Sequence, residues 1–170
     1  CRILLTYSLI NQQYTLEEIS YHCKNDSRIM KAVLKKWFNN PKELNFVSPH
    51  LKFPFDYNQW KKLYDNLPLF SKNTLVVKHD EWIVGHVSFE LKVDDLRIFH
   101  LFLDIKHRGK RVTGIILNDI ERRAKESNVK NIIFQISPKN RVMINVFENL
   151  GYEKGDLKVH KIVKMTKKIQ

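Results

Sequence analysis

Only two of the 170 residues are cysteines, Cys1 and Cys23, too few for a disulfide framework, and both are read as free thiols. Glycine and proline number five each, which leaves little room for low-complexity sequence, and no internal repeat is present. No apolar run is long enough to cross a bilayer. The first residues, Cys1 to Ile10, lack the basic start, apolar stretch and small-residue cleavage site of a secretory leader, so the expected setting is the cytoplasm. A start at Cys1 rather than methionine points to trimming or processing, with a lipidated amino-terminal cysteine as the alternative. Acidic residues are also scarce: eighteen Asp and Glu stand against thirty Lys and Arg, a net charge of +12. Such an excess attracts polyanions, whether nucleic acid, anionic membrane or a phosphorylated cofactor. The cations are dispersed (Lys35-Lys36, Lys61-Lys62, Arg122-Arg123), the pattern of solvated helix faces rather than of a nucleic-acid groove. His50, His79, His86, His107 and His160 show no ligand spacing, so no metal is expected.

Hydrophobic residues make up 43% of the chain and occur throughout it, which excludes a disordered chain and supports one domain over residues 1–170. Ile3 to Tyr7 reads as a strand. Thr15 stands three residues before Glu18, a capping-box spacing that predicts a short helix to about Cys23. Asp26 and Ser27 offer a second cap, followed by a helical stripe through Ile29, Met30, Val33, Leu34, Trp37 and Phe38. Pro41 to Pro54 holds three prolines and no period, so it reads as a long loop. Asp56 caps a helix with Trp60, Leu63, Tyr64 and Leu67 on one face, ending before Pro68. Thr74–Lys78, Trp82–Lys92 and Leu96–Ile105 then read as three antiparallel strands separated by polar turns. A helix over Arg111 to Ser127, a strand over Asn131 to Ser137 and a helix from Lys139 to Leu150 with Gly151 as its cap follow. Tyr152–Lys154 and Val159–Thr166 close the chain as a strand pair. This order predicts an α+β fold, an α/β three-layer sandwich whose mixed, mostly antiparallel sheet carries helices on both faces.

The segment Leu103-Asp104-Ile105-Lys106-His107-Arg108-Gly109-Lys110-Arg111-Val112-Thr113-Gly114 leads from a strand end through a basic turn into a helix. Backbone N–H groups at a helix start converge on one spot, the helix dipole adds positive potential, and Arg108, Lys110 and Arg111 add full charges. Glycine allows close approach of a diphosphate. An ordinary exposed basic turn is the alternative. A second segment, Asn140-Arg141-Val142-Met143-Ile144-Asn145-Val146-Phe147-Glu148-Asn149-Leu150-Gly151-Tyr152, follows one helix and one strand later.

Together the two segments resemble the cofactor half of the GNAT N-acetyltransferase superfamily, with its Q/R-x-x-G-x-G/A loop and its N-x-x-A-x-x-x-Y-x-x-x-G-F helix. The resemblance covers about Thr74 to Gly155 and includes Val84-Gly85-His86-Val87. It departs at Arg111 and Thr113, which replace small loop residues, and at Met143, Phe147 and Tyr152 in the helix signature. The resemblance implies an acetyl-CoA-dependent N-acetyltransferase. Leu103 and Ile105 would offer backbone groups to the pantetheine arm, with an N–H near Leu103 facing the thioester oxygen. Arg108, Gly109, Lys110, Arg111, Val112, Thr113 and Gly114 would hold the pyrophosphate, Asn140 would touch the coenzyme beyond it, and Phe147 would stand where many relatives have a tyrosine that protonates the leaving thiolate.

Acetyl transfer also needs a route for the amine's proton. Where many relatives carry a glutamate this chain has Arg97, which cannot be a base at neutral pH. Glu90 and His100 are the candidate bases, with a water chain as the alternative. The acceptor is an unidentified amine: small amines, antibiotics and protein amino termini are all open, as is a homodimer. Two competing readings remain. One is a module that binds coenzyme A for regulation with little or no catalysis, as Arg97, Arg111 and Phe147 would allow. The other is a nucleic-acid-binding protein, which the dispersed charge disfavours, and a membrane partner is not expected.

Overall fold

Tyr14 and Leu16 are buried while Thr15 and Glu17, the residue after each, are partly exposed, the two-residue alternation of a half-buried strand. In the computed structural model, which describes residues 7–8, 14–66, 72–155 and 162–169, this segment is accordingly a strand. The helix expected from Thr15 to Cys23 does not form: β2 spans Tyr14–Ile19 and pairs antiparallel with β3, Lys72–His79, from Tyr14↔His79 to Ile19↔Thr74. A full ladder and two buried apolar side chains outweigh one capping spacing. Tyr7–Ser8 forms the short β1 beside β2; the rest of the strand expected from Ile3 lies outside the described residues.

The remaining strands are β4 (Trp82–Leu91), β5 (Asp95–Leu103), β6 (Asn131–Ile136), β7 (Glu153–Lys154) and β8 (Val163–Lys168). The sheet order is β1-β2-β3-β4-β5-β6-β8-β7. β5 pairs in parallel with β6 from Asp95↔Asn131 to Ile98↔Phe134, whereas β6 with β8 and β7 with β8 are antiparallel. This is the expected α+β class with a mixed sheet. The parallel pair is possible because a whole helix, α4 (Val112–Glu126), connects its strands.

The chain gathers into two compact units, Cys1–Ser88 with His100–His107, and Phe89–Phe99 with Arg108–Gln170. Strands β4 and β5 contribute to both. In the first unit, α1 (Lys24–Trp37) begins two residues before the expected cap: Cys23 is the N-cap, and Asp26 instead accepts from the Ser20 N–H at 3.0 Å. The expected loop from Pro41 to Pro54 is helical at its start. Asn40 accepts from the Lys42 N–H at 2.9 Å, and Pro41 takes the first position of α2, Pro41–Val47. Proline suits that position because its missing N–H would have had no helical partner. Asp56 caps α3, Tyr57–Asp65, as expected, accepting from Asn58 N–H at 2.8 Å. An aromatic cluster of Trp37, Phe38, Trp60 and Phe102 fills this unit's core. Gly85 lets three strands pack closely, since a Cβ there would stand 3.0 Å from Val77 and 3.1 Å from Leu103.

In the second unit, α4 packs on β6 and α5 (Arg141–Asn149) on β7. α4 buries Val112, Ile116, Leu117, Ile120 and Ala124, the stripe read from the sequence. Asp119 is also buried, its carboxylate held at 2.7 Å by both Arg122 and Arg123. Lys167 ties three elements: its Nζ reaches Glu121 on α4 at 2.7 Å and donates to the Leu150 carbonyl that ends α5 at 3.0 Å. Gly151 follows with φ +84, the left-handed turn expected after that helix.

Candidate coenzyme-binding site

The strand expected to reach Ile105 ends at Leu103, and a 3-10 turn over Ile105–His107 follows. Asp104 stabilises that turn by accepting from the Lys106 N–H at 3.0 Å, and its own N–H donates to Val84 O at 2.8 Å. Next come two left-handed residues, Gly109 at φ +75 and Arg111 at φ +60. Backbone of alternating hand turns successive N–H groups towards one concave side. Arg111 occupies the N-cap position of α4 without a side-chain cap bond. The first intrahelical bond runs from Ile115 N–H to Arg111 O at 3.3 Å, so the N–H groups of Val112, Thr113 and Gly114 precede the helical ladder. Arg108, Gly109, Lys110 and Arg111 are all exposed.

A non-glycine residue in the left-handed region costs about 1–2 kcal/mol. Arg111 therefore takes the backbone shape that glycine would supply at this position and adds a guanidinium. The loop offers uncapped amides at a positive helix end and three exposed cations, a donor set that suits a diphosphate. Space is also available: a Cβ on Gly109 would meet nothing within 4 Å, and one on Gly114 only Leu150 at 3.9 Å. The last contact places the start of α4 beside the end of α5, so the two segments singled out in the sequence lie together in the second unit.

The other expected coenzyme residues are placed as follows. Asn140 is the N-cap of α5, its Oδ1 accepting from Met143 N–H at 3.3 Å. Phe147 is fully buried, stacked on Phe134 at 4.8 Å and edge-on to Tyr152 at 4.8 Å. Phe147→Tyr would thus put a hydroxyl into an aromatic core. It is expected to lower the unfolding free energy by about 1–3 kcal/mol, the cost of an unpaired buried polar group, in denaturant titration; a variant as stable as its parent would refute this placement. Leu103 is buried and Ile105 is 71% exposed, both in the first unit.

The candidate bases differ in surroundings. Glu90, in the second unit, is buried and pairs with Lys92 Nζ at 3.2 Å and Arg97 at 3.8 Å, while Arg97 also donates to Gln135 at 2.8 Å. His100, in the first unit, has both ring nitrogens engaged: Nδ1 with the Tyr64 hydroxyl at 2.8 Å and Nε2 with Ser48 Oγ at 3.2 Å. Its ring stacks on Trp60 at 4.1 Å. Burial, then the neighbouring His86 and His50, pushes its pKa well below the ordinary value.

Sequence reading missed the network around it. His86 Nδ1 lies 2.8 Å from the His100 carbonyl, which can only accept, so Nδ1 carries the proton and Nε2 accepts from Tyr21 OH at 2.9 Å. Burial lowers the His86 pKa to about 4. Tyr64 OH further bonds Ser88 Oγ at 2.8 Å, and Ser88 bonds Thr74 at 2.9 Å. Burial raises the pKa of both Tyr21 and Tyr64. The one legible signal was a run of polar side chains, His86, Ser88 and Glu90, at alternate positions of β4.

A mixed sheet with one parallel pair, flanked by helices, defines the class: an α+β fold. The Acetyltransferase (GNAT) family profile matches residues 28–152, and the chain belongs to that family. Solved structures agree on the fold. The GNAT domain of S. lividans PAT superposes with a TM-score of 0.74 at 14% identity, covering 91% of this chain and 90% of that one. Spermidine N-acetyltransferase from Vibrio cholerae, solved with CoA and spermine, gives 0.73 at 15% identity, with 94% and 97% covered. The PaiA N-acetyltransferase from Thermoplasma acidophilum, solved with coenzyme A, gives 0.68 at 12%, with 92% and 99% covered. No curated protein matches the chain. Among the described residues no helix is long and apolar enough to cross a membrane.

Proposed function

We propose that the chain is an N-acetyltransferase that moves the acetyl group of acetyl-CoA to an amine. The observation that supports this reading most directly is the junction at Arg108 to Gly114, where two left-handed residues, uncapped amides and three exposed cations meet at the start of α4. The coenzyme supplies an activated thioester; the amine nitrogen bonds the acetyl carbon, the C–S bond breaks, and the proton lost by nitrogen goes to the thiolate. In this reading Val112, Thr113 and Gly114 offer N–H groups to the pyrophosphate and Arg108, Lys110 and Arg111 offer charge. Backbone groups of Leu103 and Ile105 receive the pantetheine arm, and Asn140 fixes the start of α5 next to the coenzyme. Solvent rather than Glu90 or His100 carries the amine's proton. Glu90 is already balanced by two cations, and both nitrogens of His100 are in hydrogen bonds.

Calorimetry with acetyl-CoA, paired with thiol release across polyamines, aminoglycosides and peptide amino termini, tests the reading. Binding in the range of about 1 μM to 1 mM and release with one amine class are expected. No heat with either acetyl-CoA or coenzyme A would overturn it. Binding without release from any amine would favour the second reading, a coenzyme-binding module, which the absence of a hydroxyl at Phe147 supports.

A further inference from the structure

Strands β4 and β5 change register along their length. Lys92 N–H bonds Asp95 O at 2.8 Å and Asp104 N–H bonds Val84 O at 2.8 Å. Between these bonds β4 runs eight residues, from 92 to 84, and β5 runs nine, from 95 to 104. One extra residue is therefore accommodated on β5, which defines a bulge. His100 marks it with φ +50, and the burial alternation of β5 stops there: Leu101, Phe102 and Leu103 are all buried.

A left-handed histidine inside a strand is a strained conformation that persists only when its surroundings hold it. Two sets of contacts do so. The ring is gripped by Tyr64, Ser48 and Trp60, and the carbonyl by His86. The second contact acts on the backbone itself. His86 is wholly buried, and its tautomer is set by the His100 carbonyl, which can only accept from Nδ1 and so leaves Nε2 to accept from Tyr21. The acetyl-transfer reading depends on the same stretch of backbone, because a developing oxyanion is stabilised by amides already aimed at it.

We propose that His86 is a positioning residue for acetyl transfer: its Nδ1–H holds the His100 carbonyl, sets the bulge, and so aims the N–H groups of Leu101 and Leu103, on the opposite side of β5 from the Asp104 N–H that bonds β4, at the thioester oxygen. This rests on the proposed function.

Two polar replacements separate the role from mere packing. In His86→Asn the side-chain amide sits near the Nδ1 position and can still donate to the His100 carbonyl. In His86→Gln it sits near the Nε2 position and cannot. The full chain of each variant is compared by backbone amide resonances of residues 101–103, by calorimetry with acetyl-CoA, and by thiol release with water as acceptor and with the amine panel. The Asn variant is expected to keep the three resonances and release within about threefold of the parent. The Gln variant should shift them and lose roughly 10- to 100-fold in kcat, approaching the effect of losing one oxyanion donor, with its KM for acetyl-CoA little changed. Asn and Gln variants that behave alike in both readouts would overturn the proposal. A parent that binds no acetyl-CoA would instead overturn the functional reading, and the amide comparison would then still decide whether His86 sets the bulge.

Discussion

Alanine at both Arg108 and Arg111 is expected to weaken acetyl-CoA binding by about 100-fold or more. A hydrogen bond to a charged group contributes about 1.5–3 kcal/mol, and two such bonds lost together amount to about 3–6 kcal/mol before solvent screening of an exposed loop reduces them. The surviving amides of α4 would still hold part of the diphosphate, so affinity should fall rather than vanish. Because the missing contribution is electrostatic, the parent should lose affinity on added salt more steeply than the double variant. Arg111→Gly sharpens the comparison. Glycine adopts φ +60 without the left-handed cost, so this variant should be no less stable while binding the coenzyme more weakly. Lys130→Ala serves as the control, since Lys130 is an exposed cation of the same unit already paired with Asp94 at 2.8 Å. Equal calorimetric affinities for the parent and the double variant would remove the loop from the site.

What could be read in the sequence was what depends on neighbours in the chain. The Asp56 cap, the stripe of α4 and the order β3-β4-β5 each follow from a local pattern, and the structure carries all three. The basic turn at Arg108 to Gly114 was legible because a strand end, a glycine and a helix start are contiguous. The failures were non-local. Thr15 to Glu18 has the spacing of a helix cap, but partners on β3, sixty residues on, decide that Tyr14–Ile19 is a strand. Asn40 before Pro41 is a helix start whose signal was masked by two later prolines. No sequence rule marks His100 as left-handed. Its φ is imposed by Ser48, Trp60, Tyr64 and His86, contributed by separate segments of the first unit. Taken one at a time Trp60 and Tyr64 read as core, Ser48 as loop, His86 as part of a strand and His100 as a candidate base; only the fold makes them one network. Arg111 was partly legible: a small residue is expected there, and the backbone keeps the conformation such a residue would favour.

Acid is expected to destabilise the protein through the same buried histidines. The folded-state pKa of His86 is about 4 against an ordinary 6.5, because burial penalises the imidazolium. Between those values the unfolded chain binds a proton that the folded chain does not, so unfolding becomes easier as pH falls. The stabilisation is whole above about pH 6.5, declines below it, and stops declining near pH 4, where folded His86 also protonates. A shift of this size corresponds to about 3 kcal/mol. His100 acts in the same direction, its pKa lowered by burial, His86 and His50. The groups facing the pair are the Tyr21 and Tyr64 hydroxyls, whose raised pKa values keep them neutral throughout. Acid acts on ionisable groups throughout a protein, so the informative quantity is a difference. Denaturant unfolding of the parent and of His86→Asn at pH 7.5, 6, 5 and 4 should give curves that converge by about 3 kcal/mol at the acid end, since asparagine has nothing to titrate. Parallel curves would mean that His86 is not held neutral by the fold. An imidazolium still donates from Nδ1, so protonation of His86 leaves the hold on the His100 carbonyl in place. The acid limb of any activity profile should therefore follow the fraction of chain that remains folded rather than the titration of a catalytic base.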